Sequence, residues 1–471
     1  MRRTVVAALL VAAVCVLAVV SAGAKADPRL KSATRSEKNG WIFVHLEGSP
    51  AEVGFQHGYL LAPEIHDAQK LIALLLERDT KRGWKFFRDA ARYMLWPKTE
   101  AEYRAELEGM SEGLKARGVK LDALDLTAMN AWQELSPYWF KWREGREGHG
   151  VLLSAPEHCS AFVATGSYTK DGRPVIGHNA WTGYMEGERW NIIFDIQPQS
   201  GQRIVMDGFP GLIHSGDDFG VNQAGIMITE TTISQFSGFD PDGIPEFVRA
   251  RKAMQYSTSI DDFARIMQEG DNGGYANTWL VADRNTGEIA SLELGLKNVT
   301  LQRKRDGYFV GSNFAENEKL VREETTFNTK DLSNSPNARR VRWEQLMAGN
   351  KGKIDVAAGE RFLSDHFDSY ASKEDPNERT LCGHIDLSPR GMKPWQPEYG
   401  AAGAVQAKVT DAAMAERMAL VASMGHSCGI HFRAGAYLKA HPEFAWMKGL
   451  LRDMESHPWT EFAAMQGKAG R

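Results

Sequence analysis

The sequence predicts an α+β protein: a helical N-terminal part, an exposed linker, then a β-rich body with further helices packed on it. Three observations predict it. First, residues 27–142 form the helical part. Apolar residues recur at three- and four-residue spacing over 50–80, 100–118 and 122–142, with Ser49 and Asp122 as N-caps and Gly118 as a stop. Second, 143–158, REGREGHGVLLSAPEH, is polar and Gly-rich and contains Pro156, so it reads as an exposed linker. Third, residues 159–471 change character. The runs 160–167, 174–178, 190–197, 203–207, 225–233, 276–282 and 288–294 are short and rich in β-branched and aromatic residues. Turn pairs such as Asp171-Gly172 and Asp306-Gly307 separate them, which predicts a mostly antiparallel body. Helices are expected at 245–256, 259–269, 336–348 and 411–424.

With 471 residues, 43% of them hydrophobic, the chain can bury a large core. Its 56 basic and 60 acidic residues give a net charge of −4, which leaves no electrostatic case for binding nucleic acid or an anionic membrane. Residues 1–26 read as a signal peptide. Arg2 and Arg3 precede an apolar run from Val5 to Val20, and Ala24-Lys25-Ala26 fits the cleavage rule. An uncleaved anchor is the alternative, but the run is short for a span. The expected location is therefore outside the cytoplasm: periplasmic, secreted or lumenal. Removing Cys15 with the signal leaves Cys159, Cys382 and Cys428, an odd count that leaves one thiol over in an oxidising compartment.

Cys159 stands where the linker ends and a strand begins. A cut between His158 and Cys159 would give that residue a free α-amine beside its thiol. An amine with a reference pKa of about 7.7–8.0 can take the thiol proton at neutral pH, whereas the uncut amide cannot. The strand returning through Asp171-Gly172-Arg173-Pro174 would bring His178 and Asn179 back beside the thiol. Taken alone, a lone Cys on a strand is more often a buried structural residue, and His178 and Asn277 would read as a core histidine and a strand-edge amide.

The motifs HCSAF (158–162), GHNAW (177–181), FPGLIHSGDDF (209–219), ITETTI (228–233), YANTW (275–279) and GAVQAKVTD (403–411), in this order, resemble the phospholipase B-like family. This is a family of cysteine N-terminal nucleophile hydrolases. More distant relatives are the bile-salt hydrolases, acid ceramidases and penicillin acyltransferases. FQHGYLLAPEI (55–65) matches the helical entry of these proteins. The resemblance implies a four-layer αββα arrangement, two stacked antiparallel sheets between helical layers. It implies an exported, self-cleaving hydrolase that opens an acyl amide or ester bond through a Cys159 thioester, with a small acyl molecule, a lipid or N-acyl compound, as substrate. The cleaved N-terminal chain stays as partner. In this pattern Cys159, His178 and Asn277 are catalytic, Asn277 as oxyanion donor. Asn179, Trp181, Asp217, Asp218, Thr229 and Thr231 are expected to line the substrate cleft. Trp181 replaces the aspartate that holds the α-amine in the distant relatives, so Asp217 or Asp218 is the expected substitute. His178 is the cation that sequence can put beside Cys159. Its loss is expected to move the acid limb of the rate profile upward. An acyltransferase and a processed, non-catalytic lipid-binding scaffold remain alternatives.

Cys382 and Cys428 are a candidate disulfide, or Cys382-Gly383-His384 is a buried structural motif. Gly425-His426-Ser427-Cys428-Gly429 fits a nucleophile elbow, but the preceding residues read as a helix, where that motif needs a strand. His426, Cys428 and His431 resemble metal ligands without a second pair at structural-zinc spacing, so no metal is assigned. No cofactor is implied, because every step uses side chains, one amine and water.

Overall fold

The computed structural model describes residues 27–146, 159–393 and 395–465. The expected signal peptide, 1–26, and residues 147–158 of the expected linker, His158 included, lie outside them. Seventeen strands run in chain order. They are β1 (Thr34–Lys38), β2 (Trp41–Gly48), β3 (Ser160–Thr165), β4 (Val175–Gly183), β5 (Ile192–Pro198), β6 (Ile204–Gly208), β7 (Gly220–Asn222), β8 (Ile226–Thr232) and β9 (Asn277–Asp283). Then follow β10 (Glu288–Leu294), β11 (Val299–Lys304), β12 (Gly307–Gly311), β13 (Phe367–Asp368), β14 (Lys373–Glu374), β15 (Ala402–Asp411), β16 (Ala419–Met424) and β17 (Thr460–Ala463).

They form a nine-stranded sheet, β1-β2-β5-β6-β7-β8-β9-β10-β11, a six-stranded sheet, β12-β3-β4-β15-β16-β17, and the small hairpin β13-β14. Side-chain alternation stacks the two large sheets. On β3, Ala161 and Val163 join Ile193, Val205, Met227 and Leu280 in the core between the sheets. Phe162 and Ala164 point the other way, against Trp343 and Phe362 of the helices Ser335–Gly349 and Val356–Leu363. The outer face of the nine-stranded sheet carries Val44, Phe194 and Ile228 against Ile65, Met110, Met129 and Phe247 of a second helical layer. With period-two burial on both faces of each sheet, the result is the expected αββα arrangement.

Two expectations change. The N-terminal part is not purely helical, because its residues before Ser49 supply β1 and β2 of the larger sheet. β2 lies parallel to β5, with Ile42 opposite Ile192, while the other ladders are antiparallel. The long crossover a parallel pair requires includes the helical segment after β2 and then β3 and β4 of the six-stranded sheet. The helix expected at 411–424 is a single short helix, Ala412–Glu416, followed by β16. Leu420, Ala422 and Met424 face the inter-sheet core while Val421 faces the outer helices. That alternation is of period two, hidden in an Ala- and Met-rich composition that favours helix. Elsewhere the helices Glu246–Tyr256, Ile260–Gln268 and Ser335–Gly349 fall where periodicity predicts them. No helix of the described residues is long and apolar enough to cross a membrane.

Candidate active site

Cys159 directly precedes β3 and is buried, with φ of +101°, a backbone region that a β-carbon disfavours. Its carbonyl accepts from the buried guanidinium of Arg339. Arg339 also donates to Ser160 Oγ at 3.0 Å, Asn313 Oδ1 at 2.8 Å and Ser335 Oγ at 3.0 Å, and lies 4.5 Å over the Trp181 ring. A rigid charged fork thus fixes the residue at the head of the strand. β3 pairs with β4 so that Ala161 faces His178 and Ser160 faces Asn179. The Cys159 sulfur, a ring nitrogen of His178 and a carboxylate oxygen of Glu230 lie within 4.8 Å of one another.

Burial, then the charges of Glu230 and Asp217, push the Cys159 thiol well up. The Trp181 main-chain N–H and the Lys408 charge work against them. Burial, then Lys408, push His178 well below its ordinary value, so its ring is neutral at neutral pH. Neither of its ring nitrogens has a hydrogen-bond partner among the described residues. Burial and the neighbouring Asp218 raise the Glu230 carboxyl well above its ordinary value, and Tyr275 donates to it at 3.0 Å. The buried cations around Cys159 are therefore Arg339, on its carbonyl, and Lys408, whose charge reaches the thiol, and not His178 as expected. Burial opposes the Lys408 charge, but Asp207 at 3.0 Å and Asp217 at 2.7 Å outweigh it. Lys408 pairs with His178 across the β15–β4 ladder, which sets it in the layer between the sheets.

The other expected residues separate. Trp181 and Asp217 line a cavity of about 400 Å³ together with Cys159 and Tyr275. Asn277 opens β9 opposite Thr232, fully buried, with both atoms of its amide unpartnered. The expected cleft residues Asn179, Asp218, Thr229 and Thr231 do not line the cavity. Asn179 sits on the opposite face of β4 from His178, and its amide donates to the Leu363 and Leu381 carbonyls at 2.6 and 2.8 Å. Thr231 packs against Gly311 of β12, between the sheets. Asp218 turns to His214 and Glu246, and burial, then the Asp207 charge, raises it to about 8. Of the two candidates for holding the α-amine, only Asp217 borders the cavity, and it is already paired with Lys408 and with Ser215 Oγ at 3.1 Å.

Leu75, Trp190, Phe444 and Met447 give the cavity an apolar side, while Arg78, Asp79 and Gln133 make the rest of its wall polar. Glu186 enters it as a carboxyl raised to about 7, by burial first. FQHGY builds the wall indirectly. Neutral His57 accepts the Gly211 N–H at 3.2 Å, while Asn130 holds the Gly211 carbonyl at 2.9 Å and the Ile213 N–H at 2.8 Å. These bonds clamp the loop that carries Asp217 and Asp218.

Sequence reasoning passed over Glu230, Lys408 and Arg339. The first two had a signal: a single charge inside an apolar strand, IMITETT and AVQAKVT, must be buried with a partner. Arg339, in a helix among other arginines, had none. Cys382 and Cys428 are both free, so the candidate disulfide is absent. The GHSCG segment does follow a strand, β16, contrary to expectation. Even so, Ser427 Oγ donates to the Leu363 carbonyl at 2.8 Å and no hydrogen bond joins it to a histidine.

The family model for Phospholipase B matches residues 92–300. An uncharacterised protein of Archaeoglobus fulgidus is 25% identical over 272 residues, which is 52% of this chain and 42% of that one. Phospholipase B-like 1 of Homo sapiens is 22% identical over 429 residues, 79% of this chain and 74% of the relative. For the first two curated relatives the match spans about half of the relative's length, 42% and 50%. Among solved structures, a mutant conjugated bile acid hydrolase of Clostridium perfringens is 11% identical with a TM-score of 0.31, over 56% of this chain and 89% of that one. Penicillin V acylase of Agrobacterium tumefaciens is 12% identical with a TM-score of 0.30, over 56% of this chain and 83% of that one. The matched residues take in Cys159, His178, Glu230 and Asn277, and over them the chain is similar to the phospholipase B-like proteins.

Proposed function

We propose that the protein is a self-cleaving hydrolase that uses Cys159 to open an acyl amide or ester bond, with a lipid or N-acyl compound as substrate. The observation that carries this reading is the placement of the thiol. Cys159 heads a strand in a strained backbone conformation, opens onto a cavity of mixed apolar and polar lining, and has a neutral imidazole and a carboxyl beside it. In the first step the sulfur attacks the His158 carbonyl carbon. The amide nitrogen leaves as the α-amine and takes the thiol proton. Water then hydrolyses the thioester, freeing the chain that ends at residue 158. In turnover that amine accepts the thiol proton, the sulfur attacks the substrate carbonyl, the leaving amine or alcohol takes the proton, and water then hydrolyses the acyl thioester to the free acid and the thiol. The buried thiol keeps its proton until the amine takes it, and the buried, unpartnered Asn277 amide is assigned as the oxyanion donor. The apolar part of the wall, Leu75, Trp190, Phe444 and Met447, would take an acyl chain.

After the cut the two chains stay together, because β2 is paired to β5 within one sheet and Met110 and Phe194 share one core. Intact mass spectrometry and a panel of acyl-amide, lysophospholipid and phospholipid substrates test the reading. The wild type should give two associated chains, the larger beginning Cys-Ser-Ala-Phe, and should release fatty acid. Cys159→Ala should stay uncut and inactive. An active protein that remains a single chain would overturn the self-cleavage, and turnover by Cys159→Ala would overturn the nucleophile.

A further inference from the structure

A second histidine–cysteine cluster lies outside the site above. Four atoms, one each from His366, Cys382, His384 and Cys428, lie within 4.8 Å of one another. The residues come from separate segments. His366 follows the helix Val356–Leu363 and precedes β13; Cys382 and His384 sit in the loop before β15; Cys428 follows β16. His384 Nε2 is 3.2 Å from His366 Nε2, 3.7 Å from Cys382 Sγ and 3.6 Å from Cys428 Sγ.

These distances have the form of a coordination shell. A tetrahedral zinc with Zn–N of about 2.0–2.1 Å and Zn–S of about 2.3 Å gives N···N edges of about 3.3 Å and N···S edges of about 3.6 Å. A disulfide would have used both sulfurs, yet both cysteines are free. Two imidazole nitrogens facing each other can share only one proton, so a hydrogen bond alone leaves the convergence of four donor atoms unexplained. Two thiolates and two imidazoles are the donor set that tetrahedral zinc takes, and oxygen-seeking cations do not.

The surroundings fit as well. With Nε2 of His384 in the cluster, its Nδ1 faces Asp386 Oδ1 at 3.8 Å, and Tyr184 donates to that same oxygen at 2.7 Å. That imidazole and the carboxylate are too far apart for a hydrogen bond, but the carboxylate stands on the side where the outer partner of a ligating imidazole sits. Cys382 and His384 are buried while His366 and Cys428 are half-exposed, which leaves an entry path from solvent. His431, the other histidine of the GHSCGIH stretch, pairs with Glu455 at 3.0 Å instead.

We propose that His366, Cys382, His384 and Cys428 bind one zinc ion, which staples three segments beside the catalytic cavity. The staple reaches that cavity through Gly383. A β-carbon there would meet the Trp181 ring at 2.0 Å, so the Cys382–His384 loop lies directly on Trp181. Trp181 in turn lines the cavity and offers its main-chain N–H to Cys159. The ion is therefore structural: all four positions are filled by protein and none is left for water.

The test uses the full chain expressed with zinc and purified without chelator. Elemental analysis should find about one zinc per chain in the wild type and less than about a tenth of that in Cys428→Ser and in His366→Gln. These two half-exposed positions are chosen because they tolerate change better than Cys382 or His384. Cobalt exchanged into the wild type should show the intense visible bands of a tetrahedral thiolate site. His431→Gln should keep its zinc. Stripping the metal should lower the melting temperature of the wild type and leave that of Cys428→Ser unchanged. Three results would overturn the proposal: a wild type without zinc that takes up no cobalt, a Cys382–Cys428 disulfide in the purified protein, or zinc retained in full by both ligand variants.

Discussion

At Cys159 one thiol faces one imidazole and one carboxyl; at Cys382 and Cys428 two thiols face two imidazoles, with no carboxyl among the converging atoms. The first thiol opens onto a cavity, and burial with nearby carboxylates pushes it up, so it stays a thiol until a base takes its proton. At the second cluster the contact with Cys382, ahead of His366 and His384, pulls Cys428 well down. Residue type alone does not separate a nucleophile from a ligand. The difference lies in whether the neighbours leave one reactive atom at a cavity or close a shell around a point.

The widest separation should come from exchanging one sulfur for oxygen in each cluster. Cys159→Ser should cut slowly or not at all and lose turnover, with its melting temperature near that of the wild type. Cys428→Ser should still cut, yet melt lower. Mass spectrometry and calorimetry on both proteins read this out. If Cys428→Ser blocks cutting while Cys159→Ser permits it, the two roles assigned here are reversed. Next in size, Asn277→Ala should fold and lose about 10²–10³ in kcat, the usual effect of removing one oxyanion donor. Full turnover in that variant would remove Asn277 from the site.

His178→Gln sharpens the electrostatic side. His178 is neutral at neutral pH, and Lys408 supplies the cation. The variant should therefore reduce kcat/KM evenly across pH and leave the acid limb in place, the reverse of what the sequence suggested. An upward shift of the limb would restore a charged His178. The smallest effect is on stability. Asp218 ionises near 3.8 when unfolded and at about 8 when folded. Between those values the folded state holds a proton that the unfolded state has released, so stability present at low pH is progressively lost up to about pH 8. Glu186, at about 7, acts in the same direction. Denaturant melts should show the wild type more stable at about pH 5 than at about pH 8. Asp218→Asn should flatten that slope by up to one proton, and an unchanged slope would show that Asp218 is ionised in the folded protein.

The sequence by itself determined the α+β class, the three helices Glu246–Tyr256, Ile260–Gln268 and Ser335–Gly349, and the order of motifs that resembles the phospholipase B-like proteins. Each is local: a period of 3.6 or 2, or a short string of residues read in order. The parallel seam between β2 and β5 was not local, since it depends on a helical crossover returning the chain to the same sheet. β16 was hidden because Ala and Met favour helix until two sheets bury alternate residues. Charge identity at the site also waited for the fold. His178 looks like a cation in sequence, and only burial next to Lys408 makes it neutral. The zinc ligands, at 366, 382, 384 and 428, have no motif spacing. Closure of two loops, from 366 to 382 and from 384 to 428, brings their side chains to one point, and such convergence is a property of tertiary packing and not of any local run of residues.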